Sequence, residues 1–450
     1  MKKLKQALLP VVQGFLLCAV VLQIILGVMY IGKNFMAVPQ FHDTAIYLEI
    51  AEQLVTDEYT GILYPLLIKL CKAISFIPYQ IPIYIIQIVA RVYGVYRFAY
   101  TWIGRKIPAF VCALWINTIP FVAQAHVSVL PHSLALTCLI FMSLQVLKGS
   151  VKRRTLTITE WAGLLCSFVF LAQLDRIYVL PGMLFLLWGA VLQFYNRTHR
   201  VLLFVVSLFI SVGMLIVNVA IFHVTQNPGH YGRIQRTTAS AFFQRTGVIT
   251  LKDKYQIYMP LEVQDSYTGE DLNYISNYPY KIKYEFGPAL EARLGQKRAN
   301  EIYVELGMLG LTEATRENTI NIAQDVIRYA VPLGGYASWQ NGELQGATGW
   351  NYQQFISEAP MLSVCYARIS IFSWGFLLGL SLTVYILKAL KHRKWHIGIW
   401  LPAVGCILLY SVYFAMSGTD VYDYKLALLS MVVSYAPICC WAFQYIFKEV

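Results

Sequence analysis

The sequence predicts an all-α polytopic membrane protein. It should have about ten transmembrane helices, juxtamembrane helices in the first outer loop, and a smaller extracytoplasmic domain of helices and loops. Three observations predict this. Hydrophobic residues make up 57% of the 450-residue chain and charged residues only 13%, about half the share of a soluble domain. Apolar stretches recur at the roughly 20-residue length that a bilayer core demands. Lys and Arg collect on alternate loops, as membrane topology requires. Disorder, fibrous repeats and an ordinary cytosolic enzyme are excluded.

The first stretch, Leu8–Ile31, follows Lys2, Lys3 and Lys5. It is too long for a signal-peptide core, and no small-residue cleavage site follows it, so it is expected to be retained. The other stretches lie near Tyr79–Tyr100, Ile107–Val122, Pro131–Leu147, Thr155–Leu174, Ile177–Phe194, Val201–Phe222, Ile369–Leu390, His396–Met416 and Leu426–Phe447. With the N-terminus inside, the inner loops are Arg97–Lys106, Lys148–Glu160, Tyr195–Arg200, Lys388–Lys394 and the tail at Lys448. Together with the N-terminal lysines they hold 17 of the 36 basic residues. The short outer loops hold six: Lys33, Lys69, Lys72, Arg176, Arg368 and Lys425. The segment from Phe222 to Cys365 holds twelve basic and fourteen acidic residues, so it is close to neutral.

A multi-pass cell-membrane protein is therefore expected, with both termini cytoplasmic and the large loop extracytoplasmic. Residues 1–222 form a seven-span membrane module, 223–365 the extracytoplasmic domain, and 366–450 a three-span module. The net charge of +12 is a topological surplus, and no nucleic-acid partner is expected. Most of the nine cysteines lie inside spans. They show neither metal-ligand spacing nor a disulfide framework. The sequon Asn196-Arg197-Thr198 falls on the cytoplasmic side.

Three features bring charge to the outer side. In the first outer loop, Asp43 to Leu54 has helical spacing. Tyr47, Leu48, Ala51, Leu54 and Val55 make an apolar stripe opposite Glu49, Glu52 and Gln53. A second amphipathic stretch, Leu63 to Ile74, gathers Leu66, Leu67, Leu70 and Ile74 on one face, with Lys69 and Lys72 on another. Both are expected to lie at the interface. Asp43 stands at the start of the first helix, where it either caps the helix or acts chemically.

The second feature is Leu174-Asp175-Arg176-Ile177. If the preceding span began at Trp161, the two spans together would give only roughly 51 Å of helix, too little to cross twice. Beginning at Thr155 repairs most of that deficit but leaves Asp175 and Arg176 at or just under the surface. Charges at that depth usually face a cavity or a partner. The alternative is a mutual surface ion pair. The third feature is Asp420-Val-Tyr-Asp423-Tyr424-Lys425, before the last span. Arg91, inside the second stretch, has no partner in the local sequence, and Pro131-His132 begins the fourth. Residues 311–330 read as a helix. The glycines and tryptophans between Gly334 and Trp350 read as an irregular loop. No phosphate-binding glycine loop, dinucleotide fingerprint, zinc-protease or serine-hydrolase motif occurs.

This arrangement resembles the GT-C superfamily of polyprenyl-phosphate-dependent glycosyltransferases, which includes protein O-mannosyltransferases and lipid A aminoarabinose transferases. The matching residues are Phe41 to Leu54, where an acid is followed four positions on by Tyr47 and then by an alanine and a leucine. Tyr64-Pro65-Leu66 is similar to an aromatic-Pro-Leu segment of the family, and Leu174-Asp175-Arg176 to its charged turn. Tyr422 to Lys425 sits where many members carry an Arg-Tyr pair. His42 precedes a lone Asp43 where many members have two acids, and Lys425 stands in place of arginine.

The resemblance implies an inverting hexosyl- or pentosyltransferase that moves a sugar from a polyprenyl-phosphate donor to an acceptor protein, lipid or polysaccharide. Asp43 would take the acceptor's proton. Arg176 and Lys425, backed by Lys69 and Arg368, would hold the donor phosphate. His42, Tyr47, Asp175, Asp423 and Tyr424 would contact substrate. No cofactor and no metal site is expected, although Asp175 could bind a divalent cation. The competing classes are a transporter or lipid flippase, disfavoured by the absence of an inverted repeat, and a non-catalytic scaffold.

Overall fold

The computed structural model describes residues 2–36, 42–56, 60–152, 154–193, 200–227, 232, 234–235, 237–277, 281–330, 336–340 and 343–347, then 361, 364–366, 368–370, 372 and 440. The chain is mostly helical. α1 runs Lys2–Asn34, α2 His42–Gln53, α3 Leu63–Lys72, α4 Gln80–Ile103 and α5 Lys106–Asn117. α6 follows at Pro120–His126, α7 at His132–Lys152, α8 at Ile158–Leu174, α9 at Val179–Leu192 and α10 at Arg200–Thr225.

Among the described residues, three helical segments are both long and apolar enough to cross a membrane: Gln13–Asn34 in α1, His132–Gly149 in α7 and Val201–Thr225 in α10. Lys106–Asn117, Ile158–Leu174 and Pro181–Leu192 are apolar but shorter. α4 has the length, about 36 Å, but carries Gln87, Arg91 and Arg97. The last three apolar stretches lie outside the described residues, apart from Ile369, Ser370, Phe372 and Cys440.

α7 is the central helix. It packs on α4 and on α8 and α9, and 72% of its apolar window is buried, against 17% for α10. α10 turns Leu202, Phe209 and Ile216 outward, and α1 does the same with Phe15 and Ile25. Such continuous apolar surface suits hydrocarbon rather than water. Inside, Trp115 Nε1 of α5 donates to Gln23 Oε1 of α1 at 2.8 Å.

Two boundaries differ from expectation. The stretch Ile107–Val122 is two helices, not one. Pro120 lacks an N–H and disfavours helical backbone at the residue before it. Thr118 Oγ1 ends α5 by donating to the carbonyls of Leu114 and Trp115, both at 3.0 Å. The other boundary is the start of α8, at Ile158 rather than Thr155. A capping box holds it, with Thr157 accepting from the Glu160 N–H and Glu160 from the Thr157 N–H. α8 and α9 are then only about 26 and 21 Å long. The turn between them is sunk, with Leu174, Asp175 and Tyr178 buried.

A second core forms between Ile234 and Leu306, around Phe243, Phe286 and Tyr303. Its longest helix, Gly287–Thr312, bends at Gly295, whose φ of 75° is open to glycine but not to most residues. The helix Thr315–Ala330 joins the two cores. Asn318 Nδ2 donates to Thr246 O at 3.0 Å and to Gly310 O at 2.6 Å, while Ile322 packs on the bundle. Part of the loop expected between Gly334 and Trp350 is a two-stranded antiparallel hairpin, Tyr336–Gln340 with Glu343–Ala347. Gln340 pairs with Glu343, so two residues connect the strands. In the sequence they are Asn341-Gly342, which lie outside the described residues.

Two predictions arise here. The Cys112 and Cys440 sulfurs are 3.9 Å apart and buried. A lipid-permeable oxidant should join them, so that a chain cut at an engineered protease site after Trp350 stays in one piece until reduced. Fragments that separate without reductant would show that the last stretch does not rest on α5.

The second concerns acid. Hydrogen bonds from Arg298 and Lys254 hold the carboxyls of Glu262 and Glu317 below their ordinary value of 4.5. A lowered folded-state value means that each pair stabilises above pH 4.5 and is lost as pH falls through the folded value. Both pairs are largely exposed, so the effect should be small. The unfolding temperature should fall from about pH 5 to about pH 3, and fall less in E262Q/E317Q. Identical acid slopes would rule the pairs out as contributors.

Candidate functional site

α2 and α3 cover the sunken turns at one end of the bundle. On α2, Ile46, Tyr47, Ile50 and Ala51 are buried. Of the expected stripe only Tyr47 and Ala51 are among them, Leu48 is half-buried, and Leu54 and Val55 lie beyond the helix. On α3 the buried side is Tyr64, Ile68 and Cys71. Leu66 and Leu70, of the expected apolar face, are exposed. An interfacial helix with aromatic contacts beneath and leucines outward accounts for this.

The described residues between the two helices, 54–56 and 60–62, form a strap. Thr56 pairs in parallel with Gln226, and Thr60 pairs antiparallel with Asp175. The Thr56 N–H donates to Thr225 O at 2.8 Å, and the Asn227 N–H to Thr56 O at 2.7 Å. Gly61 lies so close to α8 that a Cβ there would be 2.0 Å from Gln173 O. Leu54, which leaves α2, has φ 56°, a left-handed conformation that costs a leucine roughly 1–2 kcal/mol. The strap holds it there.

Beneath the strap lies a buried polar seam. Tyr47 OH donates to Asp175 Oδ2 at 3.2 Å, a hydrogen bond strengthened by the carboxylate's charge. The Tyr47 ring meets the Tyr64 ring edge-on at 5.5 Å. Tyr64 OH donates to Gln87 Oε1 at 3.3 Å. Gln87 Nε2 donates to the carbonyls of His126 and Ser128, both at 3.1 Å. Alongside, His132 Nδ1 lies 2.7 Å from Tyr178 OH. Residues 127–130, the turn between α6 and α7, are entirely buried, and Thr44 Oγ1 of α2 reaches Val129 O at 3.5 Å.

Arg176 stands at the rim, partly buried. Its guanidinium lies over the Phe222 ring at 3.9 Å, and Nη2 donates to Gln226 Oε1 at 2.7 Å. A ring below and an amide at one edge fix the plane of the fork, the kind of preorganisation that suits an oxyanion.

The structure therefore brings together three of the residues proposed from sequence: Tyr47, Asp175 and Arg176. Asp43 and His42 open α2, and position 43 shares Tyr47's face of that helix, one turn away. Their side chains lie outside the described residues, as do Asp423, Tyr424 and Lys425. Lys69 is exposed on α3, with Nζ 3.4 Å from Glu52 O, away from the buried seam. Arg368 is exposed, two residues beyond Tyr366, whose ring lies 5.7 Å from that of Tyr30. Among the described residues no group of three or more His, Cys, Asp or Glu could hold a metal.

Sequence reasoning did not single out Thr60, Gln87, His126, Phe222 or Gln226. Only Gln87 carried a signal, as an amide in an apolar stretch. Scans against protein-family models, curated proteins and solved structures find no match to this chain.

Proposed function

We propose that the chain is a membrane glycosyltransferase. It would have ten spans and both termini in the cytoplasm, and would transfer a sugar from a polyprenyl-phosphate donor on the extracytoplasmic side. The observation that carries this is the gathering of Tyr47, Asp175 and Arg176 at one rim, under the helix that begins with Asp43. A lipid phosphate presents an anionic leaving group at such a rim. Arg176 would grip it, with Lys425 as the second cation.

The acceptor hydroxyl would attack the anomeric carbon from the face opposite the phosphate. The carbon–oxygen bond to phosphate breaks, polyprenyl phosphate leaves with the electron pair, and the hydroxyl proton passes to the Asp43 carboxylate. Configuration inverts. Tyr47 holds Asp175 in place to bind the acceptor. None of these steps calls for a cofactor.

The test is transfer of labelled sugar by the purified chain in lipid vesicles, across a panel of hexose and pentose polyprenyl-phosphate donors. Donor cleavage that depends on acceptor supports the assignment, and no turnover with any donor rejects it. A transporter or flippase is favoured by one observation, the buried charge of Arg91. It predicts donor-lipid movement across vesicles that survives loss of Asp43.

A further inference from the structure

Arg91 is the one Lys or Arg that the topological count places on neither side of the membrane. It sits on α4 one turn beyond Gln87 and on the same face, so it lies about 5 Å deeper than the buried turn that Gln87 holds. It is completely buried. None of its three guanidinium nitrogens has a hydrogen-bond partner among the described residues. Neither has His126 Nε2, and the His126 carbonyl accepts from Gln87 Nε2 at 3.1 Å, one helical turn from Arg91. His126 Nδ1 lies 3.0 Å from Ser133 Oγ. With the Ser133 hydroxyl donating to it, Nε2 carries the ring hydrogen.

In that tautomer two sets of donors neighbour one another, and neither has an acceptor within hydrogen-bond distance among the described residues. The sequence offers little to balance the charge. No Asp or Glu occurs between Tyr59 and Thr159, nor between Ala359 and Thr419. Of the two acids between Thr159 and Phe222, Glu160 is held by Arg154 through bonds of 2.7 and 2.8 Å, and Asp175 is held by Tyr47. Arginine does not shed its proton in proteins, and an unbalanced buried cation is costly.

We propose that Arg91 and His126 form a binding site for a phosphate-type oxyanion, free or at the head of a lipid. The guanidinium supplies a two-pronged grip and His126 Nε2 a third donor. The site is separate from Arg176 and does not require sugar transfer.

Thermal unfolding of the purified full-length chain tests this, with polyprenyl phosphate, polyprenol and inorganic phosphate as probes. Polyprenyl phosphate should raise the wild-type midpoint by about 5 °C, and polyprenol should not. Inorganic phosphate matching the lipid would identify a free anion as ligand, and a shift with the lipid alone would identify the headgroup. In an Arg176→Ala background, which removes the rim grip, a phosphate shift should remain and Arg91→Met should abolish it, while the midpoint of Arg91→Met without ligand should equal or exceed wild type, because an unbalanced charge is gone.

Three results would overturn the proposal. One is an Arg91→Met chain that melts earlier or fails to accumulate, which would mean Arg91 is satisfied internally. Another is no phosphate shift in the wild type. The last is a shift that persists in Arg91→Met but is lost in Arg176→Ala, which would place the anion at the rim.

Discussion

Asp43→Asn is expected to abolish sugar transfer while leaving the fold intact. Asp43 is the second residue of α2 rather than its N-cap, and a first-turn carboxylate contributes only about 0.3–1 kcal/mol through the helix dipole, so α2 should keep its first turn and its hold on the sunken turns. What asparagine cannot do is accept the acceptor's proton. Loss of a general base costs roughly 10²–10⁴-fold in rate. The fall should appear in kcat more than in KM, because the donor phosphate is held elsewhere. The unfolding midpoint should match wild type. Equal transfer rates for Asp43→Asn and wild type would remove Asp43 from the chemistry. A loss of rate with a matching loss of stability would make it a structural residue of the first turn.

Gly61→Ala should give the largest loss of stability of any single methyl added to a described glycine near the rim. The new Cβ would lie 2.0 Å from Gln173 O and 2.3 Å from its carbonyl carbon. Both are backbone atoms of α8, so no side-chain rotation relieves the clash. The strap must lift, and the Thr60–Asp175 pairing goes with it. A cost of about 2–3 kcal/mol is expected. Transfer should suffer further, because Asp175 loses its register against Tyr47. Gly213→Ala is the control, since nothing lies within 4 Å of a Cβ there, and it should be neutral. If Gly61→Ala melts with wild type, the strap is not clamped to α8.

Much of the fold's local grammar was legible. The burial of Tyr47 and Ala51 on α2 and the bounds of α3, α4, α7 and α10 follow from periodicity and length alone. The break after Asn117 was legible too, from Pro120, and the hairpin from Asn341-Gly342. Both signals are local, but the apolar and glycine-rich settings around them were stronger. Which side of α3 meets protein was not legible, because a helix at an interface has two apolar neighbours and pattern alone does not say which side chains face protein.

The site was only half legible. Tyr47, Asp175 and Arg176 each carried a chemical signal. Their meeting did not, because Tyr47 and Asp175 are 128 residues apart and no local pattern encodes contact at that range. Gln226 and Phe222 were missed for the same reason. Each is unremarkable until a guanidinium is laid between them.

The strap also constrains when the protein can finish folding. Its two anchors are Asp175 and the segment Thr225 to Asn227, both made long after the strap itself. During synthesis the Thr56 end of the strap must therefore wait, unpaired, until α10 has emerged and reached its place. A nascent chain stopped before Thr225 should expose the segment from Leu54 to Gly61 to protease, and one released after Asn227 should protect it. Assembly of the rim is thus a late checkpoint in biogenesis. A chain whose later helices are misplaced would carry every residue of the site and still leave it open.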